Sequence, residues 1–277
     1  MTRRSAGLAL AGSMAARLAA QTADPKKPIP PPGYSVMDMG GLKHFMPDKP
    51  ERIAMLIYPG MTALDLIGPQ QTFGYMLGCK VDLVARTSQP VVTDTGVKIE
   101  PSATLSGLPD PDLIFVPGGG KGTVALMTDP EVIGFLAEKG KSARYVTSVC
   151  SGSLVLAAAG LLRGYKATSH WAVRDVLPTL GAKLAPGRVV EDRNRITAGG
   201  VTAGIDFGLH LVAKLRGEDY ARAVQLMLEY DPHPPFESGT PVQAHTDTRE
   251  FVTQMYAPLL KAAQTSAEAA RAKWRDS

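Results

Sequence analysis

The run YVTSVCSGSLVLAAA, residues 145–159, changes character at Cys150. Tyr145–Val149 is apolar and β-branched, the composition of a strand buried on both faces. Ser151–Ala159 is a small-residue helix that follows with no loop between them. Cys150 stands at the corner, with Ser148 two residues before it and Gly152 two residues after. A strand that turns directly into a helix strains the residue at the corner, and its flanking positions must be small to avoid collision. A sulfur placed there faces the first N–H groups of the helix, which favour a thiolate and lower its pKa. The N–H of Ser151 would be a donor to a developing oxyanion. The competing reading is a buried cysteine that merely fills space at a strand end.

Working outward, the same alternation recurs. Ile53–Tyr58 is an apolar run closed by Pro59-Gly60, and Gly68-Pro69 marks a turn before a helix over Gln70–Leu77. Lys80–Arg86 is a second strand, and Val91–Glu100 is a hairpin around Asp94-Thr95-Gly96. Leu113–Val116 is a third buried strand, ended by Pro117-Gly118-Gly119-Gly120. A helix over Pro130–Lys141 leads into the strand before Cys150. Val189–Thr197 reads as another hairpin, Gly204–Leu215 and Asp219–Tyr230 as amphipathic helices, and Thr246–Trp274 as a terminal helix broken near Pro258. Short buried strands alternating with helices predict an α/β fold, a three-layer sandwich with a mostly parallel central sheet. In such sheets the site lies outside the carboxyl ends of the strands. The loop after Tyr58, the glycine turn after Val116 and Cys150 all lie there.

Four segments follow from composition. Residues 1–23 open with Arg3-Arg4 before the weakly apolar Ala6–Ala16, the pattern of a twin-arginine signal peptide, which directs the protein to the periplasm. Without a working leader the protein stays cytoplasmic. Residues 24–51 are a proline-rich linker, residues 52–240 the catalytic domain, and residues 241–277 a helical extension. No other stretch has the ~18 apolar residues of a membrane span. The net charge of +4 is set largely by Arg3, Arg4 and Arg17, in a leader that holds no acid. The rest is close to neutral, which is no footprint for nucleic acid. The two cysteines, Cys79 and Cys150, and the five histidines show no metal-ligand spacing, and no cofactor is called for.

Three further residues or turns are candidates beside Cys150. Gly118 and Gly119 offer backbone N–H donors, although three glycines alone are ordinarily a turn, and no GK[ST] follows to make a phosphate loop. Asp65 lies between Leu64 and Leu66, where a charge either caps the coming helix or faces a site. His170, in Ala167–Trp171, is a base for the thiol or a hydrogen-bonded core residue.

Together these residues carry a resemblance. Ile53–Pro69, Pro117–Gly120, Val149–Ser153, Ala167–Trp171, Gly199–Asp206 and Leu228–Phe236 resemble the ThiJ/PfpI superfamily. Within it they are similar to the branch of isonitrile hydratases and of the amidotransferase-like halves of AraC-type regulators. The resemblance implies a flavodoxin-like homodimer with Cys150 as nucleophile and Asp65 as the neighbouring carboxyl group. It implies a substrate or water contact at Ser151, where isonitrile hydratases usually carry threonine. Protease and glyoxalase branches place a histidine directly after the cysteine, and Ser151 is not one. A regulator needs a paired helix-turn-helix domain, and the roughly 40 residues after Pro235 are too few for it.

The expected activity is hydration of a small isonitrile, R–NC, to an N-substituted formamide through a thioimidate on Cys150. The alternatives are another cysteine-dependent hydrolase with His170 as base, or a redox-sensing protein whose Cys150 is oxidised reversibly.

Overall fold

A computed structural model describes residue 47 and residues 50–274; the expected leader and most of the proline-rich linker lie outside the described residues. The strands are β1 (Arg52–Leu56), β2 (Lys80–Ala85), β3 (Val91–Val92), β4 (Lys98–Ile99), β5 (Ala103–Thr104), β6 (Leu113–Val116), β7 (Tyr145–Val149), β8 (Lys166–Ala167), β9 (Lys183–Leu184), β10 (Val189–Asp192) and β11 (Arg195–Ala198). The helices are α1 (Ala63–Gly74), α2 (Lys121–Leu126), α3 (Pro130–Ser142), α4 (Gly152–Ala158), α5 (Ala203–Arg216), α6 (Glu218–Met227) and α7 (Thr246–Lys273), with a 3-10 segment over Arg174–Leu180.

Seven strands form the central sheet in the order β10-β11-β7-β6-β1-β2-β5. All its pairings are parallel except that of β10 with β11. The central strands carry no polar alternation because both faces are covered, and Ile53, Met55, Leu113 and Phe115 are buried. Helices α1, α5 and α6 pack together, and α2, α3, α4, α7 and the 3-10 segment form a second packed group. This is the expected flavodoxin-like three-layer arrangement. The chain winds from β1 outward through β2 on one side and through β6 on the other. The direction therefore reverses between β1 and β6, the place where such sheets open a crevice.

Three expectations change. Gly68-Pro69 lies inside α1, which begins at Ala63 rather than after the proline. Packing overrides the local turn signal. An added Cβ at Gly204 would meet Pro69 Cδ at 3.0 Å, and one at Gly208 would meet Thr72 Oγ1 at 2.1 Å, so α1 and α5 lie nearly backbone to backbone. The short helix α2 after the glycine turn was not anticipated. α7 runs unbroken through Pro258, which is exposed. The carbonyl that a proline leaves unpaired can there be satisfied by water.

Candidate active site

The carboxyl ends of three adjacent strands, β1, β6 and β7, bring the expected segments together. Cys150 has φ +57°, the left-handed conformation of a nucleophile elbow. Its N–H donates to the carbonyls of Ala198 (3.1 Å) and Gly199 (2.7 Å), and its own carbonyl accepts from Ser169 Oγ at 2.9 Å. The tight corner accounts for Gly152, since a Cβ there would lie 2.2 Å from the Val116 carbonyl oxygen.

Asp65 is fully buried at the third position of α1, although its neighbour Leu64 is 42% exposed. It does not cap its own helix. Asp94, from the β3–β4 hairpin, accepts from the Thr62 hydroxyl at 2.7 Å and from the Ala63 N–H at 3.4 Å. Asp65 Oδ2 instead accepts from Gly118 N–H at 2.9 Å, while Oδ1 has no hydrogen-bond partner among the described residues. A Cβ on Gly118 would fall 2.7 Å from Asp65 Oδ2 and 2.7 Å from Cys150 Cβ, so a bare glycine backbone closes over the pair.

Gly119 N–H donates to Ser151 Oγ (3.0 Å), and the same hydroxyl donates to Gly119 O (2.8 Å). The two glycine N–H groups, expected as oxyanion donors, are thus engaged by Asp65 and Ser151. In this structure they clamp the acid and the elbow together. The hydroxyl of Ser151 also lies 3.1 Å from Thr123 Oγ1, which reaches Tyr58 Oη at 2.9 Å; Tyr58 in turn donates to Pro117 O at 2.8 Å. Thr123 stands in no motif, and Tyr58 was read only as the end of an apolar strand; their burial and mutual contact reveal them.

The electrostatics depart from the sequence expectation. Burial raises Asp65 from 3.8 to about 7, against the opposing effects of Cys150 and the Gly118 N–H. Burial also pushes the Cys150 thiol well above its ordinary value, and the charge of Asp65 adds to it, while the Ser151 N–H and hydroxyl act the other way. The helix that was to stabilise a thiolate has seven residues. Its terminus is outweighed by the loss of water around the sulfur. The pair titrates as one unit in which two negative charges are strongly disfavoured.

His170 is half-buried beside this pair, and burial lowers its pKa. Its Nδ1 accepts from Ala172 N–H at 3.3 Å, and among the described residues it makes no hydrogen bond to Cys150. Its ring lies 5.6 Å from that of Trp171 and 5.1 Å from that of Tyr256. Tyr256 comes from α7, far along the chain, and no local signal marked it. Cys79 is half-buried elsewhere, its thiol pushed up to about 12 chiefly by burial. Among the described residues, no group of three His, Cys, Asp or Glu side chains is placed to hold a metal ion, and no helix is long and apolar enough to cross a membrane.

This geometry has relatives. The DJ-1/PfpI family profile matches residues 51–214. Isonitrile hydratase of Pseudomonas putida is 46% identical over 222 residues, covering 80% of this chain and 97% of that protein. A solved ThiJ/PfpI family protein from Pseudomonas syringae superposes with a TM-score of 0.79 at 47% identity, over 88% of this chain and 98% of that one. The transcriptional regulator GbdR of Pseudomonas aeruginosa is 29% identical over 192 residues, and the match spans 51% of its length. A profile match that takes in Asp65, the glycine turn and the cysteine elbow, together with similarity over 97% and 98% of the two Pseudomonas putida and Pseudomonas syringae proteins, shows that the chain belongs to the DJ-1/PfpI family.

Proposed function

We propose that the protein is a cysteine-dependent isonitrile hydratase, converting R–NC and water to R–NH–CHO. The observation that carries this reading is the buried pair of Cys150 and Asp65, brought together at an elbow where burial keeps a proton on the pair. An isonitrile carbon must receive both a nucleophile and a proton, and the pair supplies both at one point. The similarity to the Pseudomonas putida enzyme supports the same choice.

The sulfur of Cys150 attacks the terminal carbon while the pair's proton passes through Asp65 to that carbon. A thioimidate, Cys150–S–CH=N–R, results, and Asp65 is left as carboxylate. Water then adds to the carbon; Asp65 takes one of its protons and hands it to nitrogen. When the carbon–sulfur bond breaks, the hydroxyl proton returns to the pair and the formamide leaves. The N–H of Ser151 steadies the sulfur, while its hydroxyl is held by Gly119. No metal or organic cofactor enters these steps.

The test is incubation of the purified protein with a small isonitrile panel, following formamide by mass spectrometry. Many turnovers per chain are expected, none in Cys150→Ser, and a loss of about 10²–10⁴ in Asp65→Asn. Stoichiometric loss of the thiol without formamide would instead favour a redox protein. An Asp65→Asn variant with parental turnover would remove the acid from the mechanism.

A further inference from the structure

We propose that Tyr256 of the terminal helix, with His170 and Trp171, forms the wall that receives the organic group of the isonitrile, making α7 part of the substrate site. The proposal rests on the isonitrile reading for the identity of the ligand, and on the three rings for its location.

The second half of α7 is an anchor. Ala263, Ala267 and Ala270 are buried, Gln264 Nε2 donates to Thr179 Oγ1 at 3.2 Å, and Trp274 Nε1 donates to the Ala158 carbonyl at 3.2 Å. Alanine at that spacing lets the helix lie close to its support. The first half is mostly exposed, Phe251 at 64% and Met255 at 63%, and only Val252, Tyr256 and Leu259 form a half-buried stripe. The anchor therefore aims one aromatic residue inward.

Tyr256 meets His170 at 5.1 Å and Trp171 at 5.9 Å between ring centroids. These rings are tied to the Cys150 backbone through short links. Ser169, next to His170, donates to the Cys150 carbonyl, and Gly199 accepts the Cys150 N–H. A Cβ on the adjacent Gly200 would come within 2.8 Å of His170 Cδ2. Burial raises the Tyr256 phenol above its ordinary value, and the charges of Cys150 and Asp65 add to it. All three rings are half-buried, so they line an edge of the site rather than fill the core. The Tyr256 hydroxyl makes no hydrogen bond with any described residue, so its ring is not fixed there for the sake of a structural bond.

An isonitrile is linear through carbon and nitrogen. With carbon at the sulfur, the organic group projects straight outward, and its nitrogen carries partial positive charge. Aromatic faces favour both a flat apolar group and a neighbouring positive charge. Aryl and arylmethyl isonitriles are therefore the preferred class over small alkyl ones.

The experiment compares benzyl with methyl isonitrile in the parent protein, Tyr256→Ala and Tyr256→Phe. Tyr256→Ala should lower kcat/KM for the benzyl substrate by about 10- to 100-fold, mainly through KM, and leave the methyl substrate within about threefold. Tyr256→Phe should keep the parental ratio. A second readout needs no isonitrile turnover: alkylation of Cys150 by N-benzylchloroacetamide relative to chloroacetamide, followed by mass spectrometry. The parent should prefer the benzyl reagent, and Tyr256→Ala should lose that preference. If the parent leaves isonitriles unchanged but shows this preference, the wall stands and the proposed reaction falls. An unchanged ratio in Tyr256→Ala in both assays, or an equal slowing of small and large reagents, overturns the wall. Loss of the ratio in Tyr256→Phe would do the same, because the hydroxyl rather than the ring would then be recognising the ligand.

Discussion

Asp65 and Cys150 sit where neither can ionise cheaply, and that shapes how the protein responds to pH. Cys150 was readable in the sequence because the corner demands small residues at 148 and 152. Its titration was not, because helix-terminus reasoning ignores how much water the fold removes from the sulfur. A buried carboxyl raised from 3.8 to about 7 favours folding fully below its unfolded value, and that contribution is lost as pH rises through about 7. Asp65→Asn has no such loss. Its stability advantage over the parent should grow between about pH 4 and pH 7 and then level, by an order of 2–4 kcal/mol. Urea denaturation of both proteins at pH 4.5, 6 and 8 measures this, and a pH-independent difference would mean that Asp65 ionises freely. The same charge raises the Cys150 thiol, so Asp65→Asn should be alkylated by iodoacetamide faster than the parent at pH 8, even as turnover falls. In the parent, the pair should stay doubly protonated below about pH 7, and Cys150 reactivity should climb only above it. Slower alkylation in Asp65→Asn would show that the carboxyl activates the thiol rather than restraining it.

Among the elements, the longer strands and the two hairpins followed directly from apolar runs bounded by turn residues, whereas the two-residue strands β5, β8 and β9 were not anticipated. The helices did so less well, for reasons visible at particular contacts. Gly68-Pro69 has every local mark of a turn, yet α1 continues through it because α5 presents Gly204 and Gly208 to its backbone. No reading of residues 63–74 alone contains that partner. The same closeness matters to chemistry, since α1 carries Asp65 from its third position. Gly208→Ala would press a methyl to 2.1 Å from Thr72 Oγ1 and force the helices apart. A destabilisation of about 1–3 kcal/mol is expected, with a drop in turnover as Asp65 shifts from the thiol. Thr72→Ala in the same chain removes the colliding hydroxyl and methyl and should restore much of both. Thermal denaturation beside the formamide assay checks this. Unchanged stability in Gly208→Ala would mean that the contact between α1 and α5 is looser than its geometry.

At the scale of the molecule, strand alternation was enough to place three segments at one end of the sheet, because a reversal of winding between β1 and β6 leaves a crevice there. The role of the terminal helix was hidden, since Tyr256 reaches the site only through an anchor built later in the chain. The outer surface leads to one more expectation. Leu64 and Ile67 lie on α1 on either side of Asp65 in sequence and are 42% and 43% exposed. Being three positions apart, they share a helix face, and an apolar face beside a buried acid is poorly placed against water. We propose that a second copy of the chain covers it, as the family resemblance implies, with the same patch on both partners about a two-fold axis. Light scattering at micromolar concentration should then give twice 29.4 kDa for the parent. Leu64→Asp combined with Ile67→Asp places four charges at such an interface and should yield monomers that remain folded by circular dichroism. Because Asp65 is already fully buried within a single chain, its raised pKa and the onset of Cys150 alkylation should be unchanged in the monomer. A parent protein that is monomeric, or a double variant that stays dimeric, would place the contact elsewhere or remove it.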